Sequence, residues 1–498
     1  MRITVTAFAI PILVSLAASS AHADIVTNWN ETAVQAVRIA KLGPNPGTRA
    51  LAIVHVSVHD AVNAVRHEHR GYATSPIGIV DPASPEAAAN AAAHRALVEL
   101  FPAQKATFDA ALTTALATEA DGPEKTHGIE AGTAAAGAIL AIRANDGTTT
   151  LTGSFAGSTA AGKWRPTPPK FATADAPWWR QVRPFVLLTA EQFRAPAPPA
   201  LASNDFTSAL AEVNDLGRDT STTRTTEQTD IARFWAQATH VPFNEIARKV
   251  ATQKALPLAE SARLFALLNL ALADSRIAAW DSKYTHGFWR PVTALGGGDP
   301  PVDGGTLPGD AGDAGDGGDA GPPWGPLLET PNHPEYVSGH SATGAAGATL
   351  LKLYFGSDTA SYTVSSDTLP EVTRPFATFS AASEENGRSR IYGGIHYQFS
   401  NLAGQTLGAS VAQYVFNHAL RDTSTPDAGP APVDASTPTP AATVPANDAS
   451  VADASVDPGP SEDSSCSVAF PGAATGAGLA WAAGISIAAL GARRRRRR

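Results

Sequence analysis

Three short segments in the second half of the chain combine basic, hydroxyl and imidazole side chains. They are residues 283–290, 338–341 and 389–396. Lys283 and Arg290 are seven residues apart, about two helical turns, so the spacing predicts that they share one helix face. Such a concentration of cationic groups and hydrogen-bond donors indicates a binding site for an anion.

The middle segment, Ser338-Gly-His-Ser, opens an Ala/Gly-rich stretch that is predicted to be helical. A helix N-terminus exposes backbone N–H groups and the positive end of the helix dipole, and both favour an anion. Buried cations also destabilise one another unless an anion lies between them. The predicted occupant is a tetrahedral oxyanion such as phosphate or vanadate, because arginine can bind its oxygens in a bidentate way. Two histidines, His340 and His396, then supply a nucleophile or metal ligand and a general acid–base group.

The order Lys-x6-Arg-Pro, Ser-Gly-His and Ser-Arg-x5-His resembles the signature of the vanadium-dependent haloperoxidase and type 2 phosphatidic acid phosphatase superfamily. The longer segments Leu51–Asn63, Trp164–Pro169 and Trp280–Pro291 resemble the soluble bacterial haloperoxidase branch. The resemblance covers residues 25–420 apart from an Asp/Gly-rich insertion. It implies a helical bundle and a peroxidase that uses vanadate.

The resemblance implies a role for each matching residue. His396 would bind vanadium axially, His340 would act as acid and base, and Lys283 would polarise the peroxide. The residues that would hold the oxo groups are Lys283, Arg290, Ser338, the amide of Gly339, and Arg390. Together with His340 and His396, these residues are called the cradle below.

The resemblance also implies the small molecules involved. The substrates would be hydrogen peroxide, a halide and a small organic acceptor. The cofactor would be vanadate, with phosphate able to occupy the same site, and no haem is required. Homo-oligomerisation is left open.

Two departures from the family pattern concern the cofactor site. Family members commonly carry an Asp four residues after the axial histidine, where this chain has Ser400. We expect its hydroxyl to accept the ring N–H of His396 without adding charge, which puts the basicity of His396 in question. Val337 replaces the usual proline before Ser-Gly-His, a tolerable change. His333 occupies a position that shapes the halide side of the pocket in the family.

Two other functions are compatible with these residues. The first is an acid phosphatase in which His396 attacks phosphorus and His340 protonates the leaving group. The second is a non-catalytic surface protein that keeps the fold, and the complete cradle argues against it.

Apolar residues three and four apart, with abundant Ala and Leu, predict the elements that position these segments. Helices are predicted over 33–42, 48–66, 87–101, 104–117, 131–145, 227–238 and 258–283. Helix starts are predicted at Ser84-Pro85 and at two capping boxes, Thr189 with Gln192 and Thr225 with Gln228. Long alternating segments typical of strands are scarce. The predicted fold class is therefore all-α, with the helices packed as bundles.

His55 and His59 lie four residues apart on one of the predicted helices. They could form half of a metal site. Because no third ligand stands at a recognisable spacing, the preferred interpretation is a pair of buried, hydrogen-bonded histidines.

Composition distinguishes a folded body from its flanking segments. The chain has 498 residues, of which 43% are hydrophobic, so disorder throughout is excluded and a large core is expected. The formal net charge is −9. The arginine tail and two acidic low-complexity stretches together account for most of this net charge. The body is nearly neutral, which argues against a nucleic-acid-binding protein. The single cysteine cannot form an internal disulfide.

The ends of the chain predict export. Residues 1–23 have the pattern of a signal peptide, and 24–421 form the predicted helical domain, interrupted by a flexible insertion at 296–323. Residues 422–465 are predicted to be a disordered linker. Residues 466–498 contain a cysteine, an uncharged apolar span and six arginines, and resemble MYXO-CTERM surface-sorting signals; a plain membrane anchor is the alternative. The predicted location is exported, either secreted or at the cell surface and outer membrane, with membrane contact only through this tail.

Overall fold

The computed structural model describes residues 25–73, 79–296 and 324–423, all of which belong to one compact unit. The predicted signal peptide, all but the first residue of the insertion, all but two residues of the linker, and the C-terminal tail lie outside these residues. None of the helices within the described ranges combines the length and apolar character needed to cross a membrane.

The described residues form α-helices joined by loops, with one β-hairpin. The helices of the first half are α1 (Ile25–Ile39), α2 (Pro44–Arg66), α3 (Pro85–Leu100), α4 (Lys105–Leu116), α5 (Pro123–Ala144), α6 (Asn204–Gly217), α7 (Thr226–Phe234) and α8 (His240–Gln253). Those of the second half are α9 (Leu258–His286), α10 (Pro291–Leu295), α11 (Gly339–Phe355), α12 (Phe379–Tyr392) and α13 (Gln398–His418), and the hairpin consists of β1 (Thr359–Ser365) and β2 (Thr373–Thr378). The all-α prediction is confirmed.

The helix-start predictions have mixed outcomes. Ser84 caps α3 with its side chain, and Thr225 with Gln228 forms the reciprocal capping box of α7. The capping box predicted at Thr189 and Gln192 is wrong. The chain turns there, and the Gln192 side chain accepts a backbone N–H (2.8 Å). The Pro-rich stretch that follows cannot continue a helix.

Helix α9 forms the centre of the core. Every residue from Leu264 to Tyr284 is buried. The stretch from Leu264 to Ala273 is apolar apart from Asn269, as expected for a helix that is buried on all sides. It contacts α2, which in turn packs on α3 and α5, and it also contacts α11 and α13. One helix thus connects an N-terminal group of helices with the C-terminal group that carries two of the three sequence segments.

A long irregular segment, residues 145–203, is fastened to α9 and is called the strap below. Asp274 of α9 accepts three consecutive backbone N–H groups from residues 185–187 (2.7, 2.7 and 2.9 Å). The N–H of Trp164 donates to the carbonyl of Gly287 (2.7 Å). Because these bonds satisfy buried backbone groups, the strap has a fixed course over α9, although its regular structure is limited to one short 3-10 helix, Trp179–Gln181.

The β-hairpin is the one element type that the sequence interpretation did not anticipate. Strands β1 and β2 pair antiparallel, and Tyr362, Val364 and Phe376 are buried while their neighbours are more exposed. The strands are short, so their period-two alternation is a weak signal in sequence.

Candidate active site

The first segment does not form a continuous helix. Lys283 lies in the last turn of α9, and the helix ends at His286 because Gly287 adopts a left-handed conformation (φ 57°). Arg290 lies beyond this turn, immediately before α10. The prediction that Lys283 and Arg290 share one helix face is therefore wrong. Both side chains are nevertheless fully buried, and the charge of Arg290 acts on the ammonium group of Lys283.

The second segment forms a helix N-terminus, as predicted. Ser338 is the N-cap of α11, and its hydroxyl accepts the N–H of Ser341 (3.3 Å). Gly339 is the first helical residue, and a Cβ atom added there would lie 2.6 Å from Nη1 of Arg276. Any larger residue at this position would require the guanidinium of Arg276 to move away from the backbone.

The third segment joins two helices. Arg390 lies in the last turn of α12, and His396 lies in the loop that leads into α13. The charges of Lys283, Arg290 and Arg390 all act on the His396 ring. The structure thus brings the cationic residues of the cradle together around one imidazole.

The imidazole of His396 lies between a carboxylate and a guanidinium. Its Nδ1 is 2.6 Å from Oε1 of Glu335, and its Nε2 is 3.2 Å from Nη1 of Arg290. Arginine can only donate, so Nε2 accepts and Nδ1 carries the proton that is donated to Glu335. Burial holds the pKa of His396 well below its usual value, and the charges of Arg290 and Lys283 act in the same direction. The ring is neutral, and a ligand at Nε2 would replace the bond from Arg290.

The expectation that Ser400 orients His396 is wrong, because Glu335 occupies that role. Glu335 is fully buried and its Oε1 also accepts the N–H of Tyr397 (3.1 Å). Burial raises the pKa of Glu335 to about 7, against the charges of Arg290 and Lys283 and the nearby Ser400 hydroxyl. That hydroxyl approaches the carboxylate without reaching hydrogen-bond geometry. The carboxylate missing at position 400 is supplied by Glu335, which lies 61 residues before His396 in sequence.

The cationic side chains of the cradle are held by backbone carbonyls. Lys283 donates to two carbonyls (3.0 and 2.9 Å), Arg290 to two (3.0 and 2.7 Å), and Arg390 to one (2.9 Å). The Nε of Arg390 is buried without a partner. Burial lowers the pKa of Arg390 to about 9 and that of Arg290 to about 10, and it lowers that of Lys283 strongly. Burial thus disfavours the charged form of all three groups, and the charge of Glu335 offsets part of this effect for Lys283 and Arg290.

His340, the second residue of α11, is fixed through one of its two ring nitrogens. Its Nε2 lies 3.1 Å from the carbonyl of Gln237, so Nε2 carries the proton. Burial and the charge of Arg390 hold the pKa of His340 well below its usual value. The ring is therefore neutral, and within the described ranges its Nδ1 has no hydrogen-bond partner.

His333 lies beside the cradle, in contact with Arg290 and Trp280. Its Nδ1 is 3.0 Å from Nη2 of Arg290, and its ring centroid is 4.8 Å from that of Trp280. That His333 helps to shape the halide side of the pocket stays a prediction.

Sequence reasoning missed two residues of this site, Glu335 and Arg276. Glu335 is a lone charged residue in the stretch Asn-His-Pro-Glu-Tyr-Val that precedes Ser338. Arg276 lies seven residues before Lys283 within the continuous helix α9, so these two residues share a face. A spacing of seven residues from Lys283 therefore indicates a shared helix face correctly for Arg276, but not for Arg290.

The pair His55 and His59 does not form a metal site with other residues of the described ranges. Both rings are buried, and Nε2 of His55 accepts a hydrogen bond from Nδ2 of Asn30 (2.8 Å). No group of three or more potential metal ligands of the His, Cys, Asp or Glu type occurs in these ranges. The interpretation as buried, hydrogen-bonded histidines agrees with these contacts.

Comparison with known proteins adds a family context. Residues 263–424 match the family model described as the VCPO second helical-bundle domain, a range that contains the whole cradle. The curated vanadium chloroperoxidase of Curvularia inaequalis is 28% identical over 215 residues, which cover 37% of this chain and 33% of that protein. The chain therefore spans about a third of the length of this curated relative.

Two solved structures extend the similarity to most of the fold. The first bacterial vanadium-dependent iodoperoxidase has a TM-score of 0.69 and 24% identity, covering 81% of this chain and 98% of that chain. A holo-type bacterial vanadium-dependent chloroperoxidase has a TM-score of 0.60 and 18% identity, covering 78% of this chain and 95% of that chain. These findings confirm the resemblance to the vanadium haloperoxidases. The protein has a vanadium haloperoxidase-like fold, and its homologues imply a vanadate cofactor.

Proposed function

We propose that the protein is a vanadium-dependent haloperoxidase, which oxidises a halide with hydrogen peroxide at a vanadate held by the cradle. The observation that carries the proposal is a group of buried cations around the neutral imidazole of His396, held by backbone carbonyls and, for Arg290, also by two histidine rings. Homology to vanadium haloperoxidases supports the same class of enzyme.

The donor set of the cradle fits a tetrahedral oxyanion. Nε of Arg390 is buried without a partner, which is costly unless a ligand accepts its hydrogen bond. The N-terminus of α11 begins at Gly339 and provides backbone N–H groups and a favourable dipole. The residues that would hold vanadate are Lys283, Arg290, Ser338, Gly339, His340, Arg390 and, at the metal, His396.

Vanadate, when bound, supplies a Lewis acid that activates peroxide. The cradle cations neutralise the negative charge of the reacting oxygens. Nδ1 of His340 can take a proton from hydrogen peroxide and later return it to the oxygen that leaves as water. Glu335 keeps the Nδ1 proton of His396 in place, so that Nε2 points its lone pair at the ligand.

The overall reaction balances with these groups. The halide gives two electrons to the peroxide O–O bond, which breaks. One oxygen leaves bonded to the halogen as hypohalous acid, and the other leaves as water after uptake of one proton. A small organic acceptor would then react with the hypohalous acid.

The proposal is tested by halogenation of a dye with hydrogen peroxide and iodide, bromide or chloride, before and after vanadate reconstitution. We expect vanadate-dependent turnover that disappears in His396→Ala and is strongly reduced in His340→Ala. Lack of vanadate-dependent turnover with all three halides would contradict the proposal. Elemental analysis of the reconstituted protein shows whether vanadium is bound in each variant.

An acid phosphatase is the second candidate, favoured by the neutral Nε2 of His396 and its partner Glu335. The same arrangement suits a histidine nucleophile that attacks phosphorus, with His340 protonating the leaving group. Trapping of a phosphohistidine with a phosphate ester, together with simple inhibition by vanadate, would select this function. Calorimetry in which the protein binds neither vanadate nor phosphate would favour the third alternative, a non-catalytic surface protein.

We also propose that the protein is exported, on the basis of the signal-peptide pattern at residues 1–23 and the sorting-like tail at 466–498. N-terminal sequencing of the mature protein should find a start near Asp24. A start at Met1 in the cytoplasmic fraction would contradict export.

A further inference from the structure

We propose that the β-hairpin, acting mainly through Gln237, positions two residues of the cradle, His340 and Arg390. Gln237 lies between α7 and α8, in residues 235–239, which are called the α7–α8 loop below. The importance of this positioning for turnover rests on the proposed haloperoxidase function. Its effects on the His340 ring and on oxyanion binding can be measured without turnover.

Two backbone carbonyls of the α7–α8 loop hold these two side chains. The carbonyl of Trp235 accepts Nη1 of Arg390 (2.9 Å), and the carbonyl of Gln237 lies 3.1 Å from Nε2 of His340. A carbonyl can only accept, so the second bond requires the ring proton on Nε2. The position of the loop therefore sets both the direction of a guanidinium and the tautomer of an imidazole.

The β-hairpin fixes this loop through the side chain of Gln237, which is 5% exposed. Its Nε2 donates to the carbonyl of Ser365 at the end of β1 (2.9 Å). Its Oε1 accepts the N–H of Asp367, two residues further along (3.1 Å). Because a buried amide must satisfy both its donor and its acceptor, these two bonds favour a single position for the loop.

The turn of the same hairpin also binds the end of α7. Oγ of Ser366 donates to the carbonyl of Phe234 (2.6 Å), and Oγ1 of Thr368 donates to the carbonyl of Arg233 (2.7 Å). Carbonyls in the last turn of a helix lack their usual partners within the helix. The hairpin turn therefore fixes the point at which the chain leaves α7 and enters the loop.

A second connection reaches β2 through the indole of Trp235. Its Nε1 donates to Oε1 of Glu385 (2.8 Å), and Glu385 forms an ion pair with Arg374 of β2 (2.5 Å). The Trp235 ring also lies beside Phe376 of β2, with 6.1 Å between the ring centroids. The residue whose carbonyl binds Arg390 is thus fixed from the hairpin side as well.

These contacts have a consequence for the chemistry of His340. Only the tautomer that is protonated at Nε2 leaves Nδ1 able to accept a proton. A loop that shifts would withdraw the carbonyl of Gln237 and allow the proton on either ring nitrogen. The hairpin therefore favours the form of His340 that can act as a base, and Gln237 is a positioning residue.

The test compares two substitutions of glutamine by methionine in the full chain. Gln237→Met keeps a side chain of similar length but removes both bonds to the hairpin. The matched control is Gln253→Met, which removes a bond of the same type, from Nε2 to the carbonyl of Ser361 in β1 (3.2 Å). Gln253 is the last residue of α8, at the opposite end of that helix from the loop.

The first readout is the tautomer of His340, measured by NMR on protein with isotopically labelled histidine rings. His340→Ala identifies the signals of this ring. We expect the Nε2-protonated form in the wild type and in Gln253→Met, and a mixture of both tautomers in Gln237→Met. Ser366→Ala, which removes one bond between the hairpin and α7, should shift the tautomer in the same direction but less.

The second readout is vanadate affinity, measured by calorimetry. We expect the dissociation constant to rise by about 5-fold in Gln237→Met, because Arg390 loses its fixed direction, and to change by less than about 2-fold in Gln253→Met. With halogenation activity present, kcat should fall by about 10-fold in Gln237→Met. The halide KM should change by less than about 2-fold.

The outcomes separate this inference from the proposed function. A folded Gln237→Met protein with the wild-type tautomer and vanadate affinity would overturn the inference, and so would equal effects in Gln253→Met. Thermal unfolding shows whether each variant is folded, and if Gln237→Met is not, Ser366→Ala decides by the same two readouts. The expected changes in tautomer and affinity, in a protein without halogenation activity, would keep the positioning role and remove the proposed function.

Discussion

Buried arginines are held in opposite ways in two regions of this molecule. In the N-terminal region, Arg143 pairs with the buried carboxylate of Asp146 (2.9 Å), which also binds Arg49 (2.6 Å). In the cradle, Arg290 and Arg390 have backbone carbonyls as their oxygen partners. The first arrangement balances charge within the protein, and the second leaves positive charge for a ligand to balance.

The physical reason for the difference is the cost of burying charge. A buried ion pair that loses one partner is strongly destabilised, because the remaining charge stays away from water. A site for an anion must accept part of this cost in the free protein and recover it on binding. The following experiments test whether the two regions differ in this sense.

The largest expected effect is on stability, from removal of the carboxylate of Asp146. Asp146→Ala leaves two arginines without their partner, and we expect it to lower the free energy of unfolding by about 3–5 kcal/mol. Urea denaturation measures this change. Vanadate affinity of the folded variant should be unchanged, and a stability loss under about 1 kcal/mol would mean that this region is not held by charge pairing.

The next effect is on binding, from removal of a cradle cation. Arg390→Met should weaken vanadate binding by about 10- to 100-fold, since a hydrogen bond to a charged group contributes about 1.5–3 kcal/mol. Its stability should be unchanged or higher, because an unbalanced buried charge is removed. The control is Arg388→Met, which removes a partly exposed arginine paired with Glu212 (2.7 Å). If Arg390→Met unfolds the protein and Arg388→Met does not, the cradle is structural.

The third effect is a pH dependence that belongs to the N-terminal region. Burial lowers the pKa of His55 to about 3, with a further contribution from the charge of Arg248. The unfolded chain therefore binds a proton below pH 6.5 that the folded protein does not, so stability is lost as the pH falls from 6.5 towards 3. We expect His55 to contribute a loss of about 2 kcal/mol between pH 7 and pH 5.

Urea denaturation of the wild type and of His55→Phe at both pH values measures this contribution. It equals the difference between the two proteins in how much the free energy of unfolding falls between the two pH values. The buried His59 has a pKa lowered to about 3 in the same way, and it remains in both proteins. Equal pH slopes would show that His55 does not titrate differently on unfolding.

The smallest effect concerns the partner of His396. Glu335→Gln keeps a hydrogen-bond acceptor for Nδ1 but removes the charge, and we expect vanadate affinity to fall by about 10-fold. Adding Ser400→Asp to this variant should recover part of the loss, because a carboxylate returns near the same ring. Calorimetric titration measures both. An unchanged affinity in Glu335→Gln would show that the charge of Glu335 is unimportant for the ligand.

Much of the fold could be predicted from local patterns. Helices α2, α3, α7 and α9 were placed within a few residues by their apolar spacing and by the capping residues at Ser84 and Thr225. The capping box at Thr189 failed because the same residue types also form turns. The hairpin was missed because its strands are too short for alternation to be distinctive.

The sequence by itself determined that the chain folds as packed helices and that its cationic and imidazole residues occur in an anion-binding order, since periodicity and motif spacing are local properties. Only the tertiary structure decided which groups meet. Gly287 ends α9 between Lys283 and Arg290, so the loop's course brings Arg290 to the site. Contact between His396 and Glu335 depends on the packing of segments far apart in sequence. The free energy of such a contact comes from burial and charge in the assembled core, which no local pattern records.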